Sequence, residues 1–314
     1  MDAEALICDR LALALRRIDL ARSYRNLLLS VGQDYLQMQF HRFKASEPPV
    51  CLPFLCCEAN GVNPLRAIGV TTSWFLLQTA AHVLDKVEDH EPALPGLSPY
   101  GQGICTNLST GMIFVAEWIL NHLELDCIDA GAAWDIQRAF HETVLSVCSG
   151  QHLDLSVPLP DLATWWEIAQ KKSGSAFGLG CYIGARVATN QTDRLLHFDK
   201  FGTAVGTIVQ ISDDLKDLEE DAIKQAGNLT LSPMANAYLS YLGLRGQDPI
   251  HSEFGPKTQT DSLQNSLILY LRLEAMKYAE LGRSELRAIP LAKEPYERIL
   301  KMLSYLSWLG VAVN

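Results

Sequence analysis

The sequence predicts an all-α protein, and three observations carry that reading. Apolar residues recur at three- and four-residue spacing over segments near 3–43, 62–89, 107–124, 129–152, 161–190, 194–222, 263–284 and 292–310. No set of alternating apolar and polar runs of strand length accompanies them. The breaks between segments carry turn chemistry: "SEPPVCLP" at 46–53, "HEPALPGLSPYGQG" at 90–103, "VPLP" at 157–160 and "GLRGQDPIHSEFGPK" at 243–257. None of these is long or polar enough to be an interdomain linker, and no solenoid repeat or low-complexity tract is present. The expectation is one domain over residues 1–314, built from about ten helices.

Composition narrows the function classes. With 48% hydrophobic and 20% charged residues, the chain has the make-up of a globular protein with a large core. A net charge of −10 argues against a nucleic-acid surface. An acidic chain that binds an anionic substrate needs cations as intermediaries. No run reaches the roughly 18–20 uninterrupted apolar residues of a spanning helix, so no stable membrane insertion is expected. The N-terminal "MDAEALICDRLALALRRIDL" starts acidic and carries Asp9, Arg10, Arg16 and Arg17 within its apolar pattern. It reads as an amphipathic structural helix, not a signal peptide. The eight cysteines include no C-x-x-C pair, which favours reduced, buried thiols and a cytoplasmic location.

Two acidic clusters stand out. In "TAAHVLDKVEDHE", residues 79–91, Asp85 and Asp89 share a helix face one turn apart, and Lys86 lies about 100° around the helix. In "VQISDDLKDLEED", residues 209–221, Asp213 and Asp217 are four apart and Asp214 and Asp217 three apart. Carboxylates stacked this way repel unless a cation lies between them. Mg²⁺, which prefers oxygen ligands and takes one or two carboxylates plus substrate phosphate, suits such faces. A solvated, charged helix end carries the same residues, and spacing alone leaves both readings open.

In order along the chain stand "TAAHVLDKVED" at 79–89, "GQHLDL" at 150–155, "KKSGSAFGLGCYIGA" at 171–185 and "GTAVGTIVQISDDLKD" at 202–217. Together they resemble the trans-isoprenyl diphosphate synthase (polyprenyl synthetase) family over residues 40–235. The first matches its D-D-x-x-D motif with Lys86 in place of the second aspartate, and the last its F-Q-I-x-D-D-x-x-D motif. The resemblance implies an isoprenoid-synthase (terpenoid-synthase) helical bundle around a central cavity, usually in a homodimer. It implies Mg²⁺ as cofactor and an allylic prenyl diphosphate as substrate. By position, Asp85, Asp89 and Asp213 are the implied metal ligands, supported by Asp214 and Asp217. Lys172 is the implied diphosphate contact, with Gln151, Asp154 and Gln210 along the polar rim and Phe177 beside them.

The departures are as informative. The family's chain-elongating members bind isopentenyl diphosphate through a G-G-K-R-x-R-P segment and an arginine pair after the first motif. The first is here "PPVCLP", residues 48–53, without a basic residue, and no Lys or Arg follows Lys86 until Arg138. The lysine that follows the second motif is replaced by Asn228 in "GNLTLS". A second diphosphate therefore lacks most of its cationic partners, each worth roughly 1.5–3 kcal/mol.

The expected chemistry is ionisation of one prenyl diphosphate, the cation then cyclised, deprotonated or quenched by water as in a class I terpene synthase. Two alternatives stand beside it: a prenyltransferase, elongating or using another acceptor such as a peptide, and a non-catalytic subunit of a prenyl synthase heteromer. Ala80 and Ala81 stand where bulky residues close the family's pocket, and Trp74 lies eleven residues before Asp85, about 16 Å along a helix. Trp74 is either a cavity floor, which favours a C15 or C20 chain, or a core residue. Lys86 either supplies positive charge or weakens Mg²⁺ binding.

Overall fold

The computed structural model describes residues 2–43, 46–90, 97–224, 233–243 and 256–309. Asn228 lies outside them. Among the described residues there are twelve α-helices and no strand, as the periodicity predicts. They are α1 (Ala3–Arg17), α2 (Arg22–Arg42), α3 (Leu52–Ala59), α4 (Ile68–Glu88), α5 (Gln102–Leu120), α6 (Ala130–Ser156), α7 (Leu162–Ala169), α8 (Ser175–Arg186), α9 (Thr192–Lys224), α10 (Pro233–Tyr241), α11 (Pro256–Arg287) and α12 (Lys293–Leu309). The chain divides into two compact units. The first comprises Met1–His141, Leu179–Phe198 and Ile289–Met302, and the second Glu142–Gly178, Asp199–Ala288 and Leu303–Asn314.

In the first unit α4 is the central helix. Residues 69–77 are buried all round, with Trp74, Phe75 and Leu76 among them, and α5 packs along its length. α4 and α5 have the length and composition of membrane-crossing helices; 72% of the apolar window in α4, a core helix, and 44% of that in α5 are buried within the fold. α1 begins at Asp2, whose carboxylate accepts from the Ala5 N–H at 3.1 Å, a helix-capping bond. Arg10 of α1 reaches Asp126 at 3.1 Å, both side chains nearly fully buried, and Gly69 of α4 is bare where a Cβ would collide with that carboxylate. Gly184 of α8 likewise lies directly on the Pro53 backbone at the start of α3.

The second unit is built on α9 and α11. Trp165 of α7, Ile211, Leu215 and Leu218 of α9, Met234 of α10 and Leu267 and Leu271 of α11 form one apolar cluster. Asp161 caps α7 by accepting from the Thr164 N–H at 2.8 Å. The Trp166 indole N–H, half-buried beside this cluster, donates to the Tyr270 hydroxyl at 3.1 Å. The single helical segment expected over 161–190 is interrupted. Between α7 and α8 the backbone widens into one π-helical turn, Gln170–Gly174.

Candidate functional site

In the first unit the first acidic motif occupies the last turn of α4. Asp85 is half-buried, and Asp89 is the exposed residue that ends the helix, its backbone N–H donating to the Asp85 carbonyl at 2.9 Å. His90 follows with φ 56°, a left-handed residue that stops the helix. Three acidic side chains, Asp85, Glu88 and Asp89, thus stand where the helix macrodipole is already negative, an arrangement that disfavours carboxylates and favours a cation beside them. Lys86, half-buried in the same turn, has the sign the dipole prefers. Beneath this turn Ala80 is buried and Ala81 half-buried. Trp74 is fully buried, the edge of its indole lying where Gly180 of α8 leaves room for no side chain.

The second unit brings several of the sequence-predicted residues together. Lys172 projects from the π-helical turn, and its ammonium donates to Asp154 Oδ2 of α6 at 2.6 Å. Its side chain is only 18% exposed, so the pair is shielded from solvent far more than a surface ion pair. One turn before Asp154, Gln151 holds its Nε2 buried and without a hydrogen-bond partner. From α9, Gln210 accepts from the Ser173 hydroxyl at 2.9 Å and donates to Asp214 Oδ2 at 3.4 Å. Asp213 and Asp217 are exposed on the same helix, while Asp214 turns inward to Gln210. Phe177 is buried, two residues into α8.

The electrostatics single out Asp214. Burial pushes its carboxyl up to about 8; the Gln210 hydrogen bond lowers it, and the charges of Asp213, Asp217 and Asp154 raise it further. A desolvated carboxylate crowded by three others is an all-oxygen set that a hard divalent cation would stabilise. Among the described residues no three His, Cys, Asp or Glu side chains converge into a closed cluster.

What the motif reading missed is why Lys172 stands where it does. Three glycines let other helices close on the backbone that carries it. A Cβ on Gly150 of α6 would stand 2.8 Å from Lys171 Cβ and 2.9 Å from the Lys172 nitrogen. Gly206 of α9 meets the Ser173 carbonyl, and Gly202, one turn earlier, meets the Phe177 carbonyl; neither has room for a methyl group. The signal was in the sequence as two small-residue pairs at four-residue spacing, Gly174 with Gly178 and Gly202 with Gly206.

Comparison with known proteins gives the family and the fold. Residues 57–231, more than half of the chain, match the family model described as polyprenyl synthetase. No curated protein matches the chain. Among solved structures, the geranylgeranyl pyrophosphate synthetase from Pyrococcus horikoshii Ot3 is similar with a TM-score of 0.76 at 17% identity, covering 96% of this chain and 95% of that one. The polyprenyl synthetase from Streptomyces coelicolor A3(2) gives 0.73 at 15% identity with 97% of both chains covered. A decaprenyl diphosphate synthase from Rhodobacter capsulatus gives 0.71 at 13%, covering 98% and 94%. At these identities the likeness is one of fold.

Proposed function

Because this chain belongs to the polyprenyl synthetase family, we propose that it binds an allylic prenyl diphosphate, C15 or C20, and ionises it without coupling it to isopentenyl diphosphate. The observation that carries the second half is the segment at 48–53. Where elongating members have a basic stretch, Pro49, Val50, Cys51, Leu52 and Pro53 are buried, and the charge beside them is acidic. Glu47 and Glu58 are both engaged by Arg298 of α12, at 2.8 Å and 2.7 Å. Upstream, Arg42 lies over the Phe43 ring at 5.7 Å. A second diphosphate finds an apolar turn there instead of a cationic cradle.

The residues assigned to the first half are those predicted from sequence. Asp85 and Asp89 on α4 are the oxygen donors that would hold Mg²⁺ in the first unit, and Asp213, Asp214 and Asp217 on α9 those that would hold it in the second. When bound, that ion supplies Lewis-acid neutralisation of the charge that grows on the leaving diphosphate. Lys172 adds a fixed cation of its own, oriented by Asp154. Gln151 offers its unpartnered Nε2, and Gln210, locked between Ser173 and Asp214, keeps the inner carboxylate in place. Ionisation breaks the C1–O bond, and its electron pair leaves with the diphosphate. The allylic cation then loses a proton, cyclises or takes up water.

The test is turnover of purified protein with Mg²⁺ and C10, C15 or C20 allylic diphosphates, with and without isopentenyl diphosphate. Organic products and released pyrophosphate are both followed. A hydrocarbon or alcohol formed without isopentenyl diphosphate is expected, with turnover lost in Asp85→Ala and in Asp213→Ala. Longer diphosphates formed only in its presence would replace this reading with elongation. Absence of any turnover, with copurification of an active homologue, would replace it with a regulatory subunit.

A further inference from the structure

We infer that the turn between α1 and α2 docks on an anionic lipid surface through Arg16, Arg17 and Arg22. Such docking is peripheral, goes beyond the chemistry proposed above and does not depend on it. α1 ends at Arg17 and α2 begins at Arg22, so residues 18–21 alone join two helices that pack on each other. Arg25 holds that turn from behind, its Nη2 donating to the Ile18 and Leu20 carbonyls, each at 3.3 Å. Two helix ends and a short, braced turn make a projecting tip. Within residues 16–25 four arginines stand against one aspartate, a net charge of +3 in a chain of net −10.

Three of those arginines are left without a partner. Arg16, Arg17 and Arg22 are exposed, and none makes a side-chain hydrogen bond or ion pair with another of the described residues. Arg16 and Arg17 close α1, at the end of a helix where a cation is favoured. Arg22 opens α2, at the end where a cation is disfavoured. The first turn of α2 holds no acid, and Ala21 at its N-cap supplies no side-chain bond. The Arg22 charge is therefore uncompensated within the fold and turned to solvent, where an anion outside the chain can meet it.

Apolar side chains are interleaved with the arginines. Leu13, three and four residues before Arg16 and Arg17 and so on the same side of α1, is 39% exposed, and Ile18 and Leu20 in the turn are half-buried. A tip that offers cations to headgroups and a few aliphatic carbons to the acyl boundary fits a lipid surface. A nucleic acid fits it less well. Tyr24, the aromatic residue of this stretch, is half-buried, its hydroxyl donating to the Asn107 carbonyl at 2.9 Å, so no free ring is offered for a base to stack on. Each arginine near an anionic leaflet strengthens binding about fivefold, so three give roughly a hundredfold, a reversible hold and not an anchor.

The full chain is floated with vesicles of phosphatidylcholine and with vesicles of equal parts phosphatidylcholine and phosphatidylglycerol, at about 50 and about 500 mM salt. The expectation is binding to the anionic vesicles alone, lost at the higher salt. Arg22→Gln weakens that binding about fivefold, and Arg16→Gln, Arg17→Gln and Arg22→Gln combined weaken it roughly a hundredfold. Lys301→Gln, which removes an exposed cation of α12, leaves it unchanged. Leu13→Ser weakens it severalfold without altering its salt dependence. All of these positions are exposed, so the variants keep the fold. No binding to the anionic vesicles, equal binding to both kinds, undiminished binding by the triple variant, or equal weakening by Arg22→Gln and Lys301→Gln overturns the docking role. Retention on heparin governed by the three arginines, with no binding to anionic vesicles, replaces the lipid with a soluble polyanion and overturns it too.

Discussion

At the scale of single residues, the proposed function makes the balance of charge around Lys172 decide how a diphosphate is held. The ammonium is tied to Asp154 at 2.6 Å, and its side chain is largely withdrawn from water. It is therefore oriented before any substrate arrives, which lowers the entropy lost on binding. An incoming diphosphate competes with one carboxylate for a cation already in position. Replacing it, Lys172→Met, keeps the aliphatic stem and removes the charge. One charge-assisted hydrogen bond of about 1.5–3 kcal/mol corresponds to roughly a 10- to 100-fold fall in kcat/KM for pyrophosphate release. If Lys172 meets the leaving group as charge develops, the fall appears in kcat; if it only docks the substrate, it appears in KM. A variant with wild-type values of both would remove Lys172 from the site.

At the scale of elements, the π-helical turn and the glycines that clamp it are what the motifs stand for physically. Gly202 and Gly206 bring α9 onto the backbone of residues 173–178, and Gly150 does the same from α6. A methyl group at 206 has the Ser173 carbonyl in its way, and backbone yields less readily than a side-chain tip. Overpacking of this kind costs about 1–3 kcal/mol. The expected result for Gly206→Ala is a melting temperature lower by several degrees, on the order of 2–4 °C per kcal/mol for a chain of this class. The accompanying loss of activity should exceed what the loss of folded protein explains, because the turn that carries Lys172 is displaced. A variant that loses stability and retains full activity per folded molecule would show that the clamp serves packing alone.

This also marks how far the sequence could be read. The all-helical fold was legible from periodicity, and the shared face of Asp214 and Asp217 from their i, i+3 spacing; Asp154, Lys172 and Gln210 came only from the resemblance to the family. The π-helical turn was not, since one extra residue in a helical repeat leaves apolar periodicity almost unchanged. Nor was the state of Trp74, left open between cavity floor and core: its full burial and the packing of its indole against Gly180 show it sealed.

At the scale of the whole molecule, α6 carries an exposed stripe along its length. Trp134, Arg138, His141, Leu145, Cys148, His152 and Leu155 follow one another at alternating steps of four and three, and all are exposed. The three large apolar members are 67%, 70% and 51% exposed, the order being Trp134, Leu145, Leu155. Such a stripe has the spacing of the seam of a helix pair. It is also nearly symmetric about Leu145, so that a second α6 laid antiparallel sets each Trp134 against the other copy's Leu155 and brings the two Leu145 side chains together. That is the self-complementary patch a two-fold dimer requires, and on this ground we propose a homodimer through α6.

Leu145→Asp places two like charges on the axis, and the expected result is a monomer by sedimentation. Thiol labelling gives an independent readout. Five of the eight cysteines are buried and Cys8 is half-buried, and burial pushes the Cys57 thiol up to about 12, far from the thiolate that reacts. Cys127 and Cys148 are exposed on the single chain, and Cys148 lies within the seam. In the wild type at pH 8, Cys127 should react rapidly and Cys148 should be protected; in Leu145→Asp both should react. A wild-type chain that sediments as a monomer, or a Cys148 that labels equally in both proteins, would place the dimer elsewhere or remove it, and the α6 stripe would then need another partner.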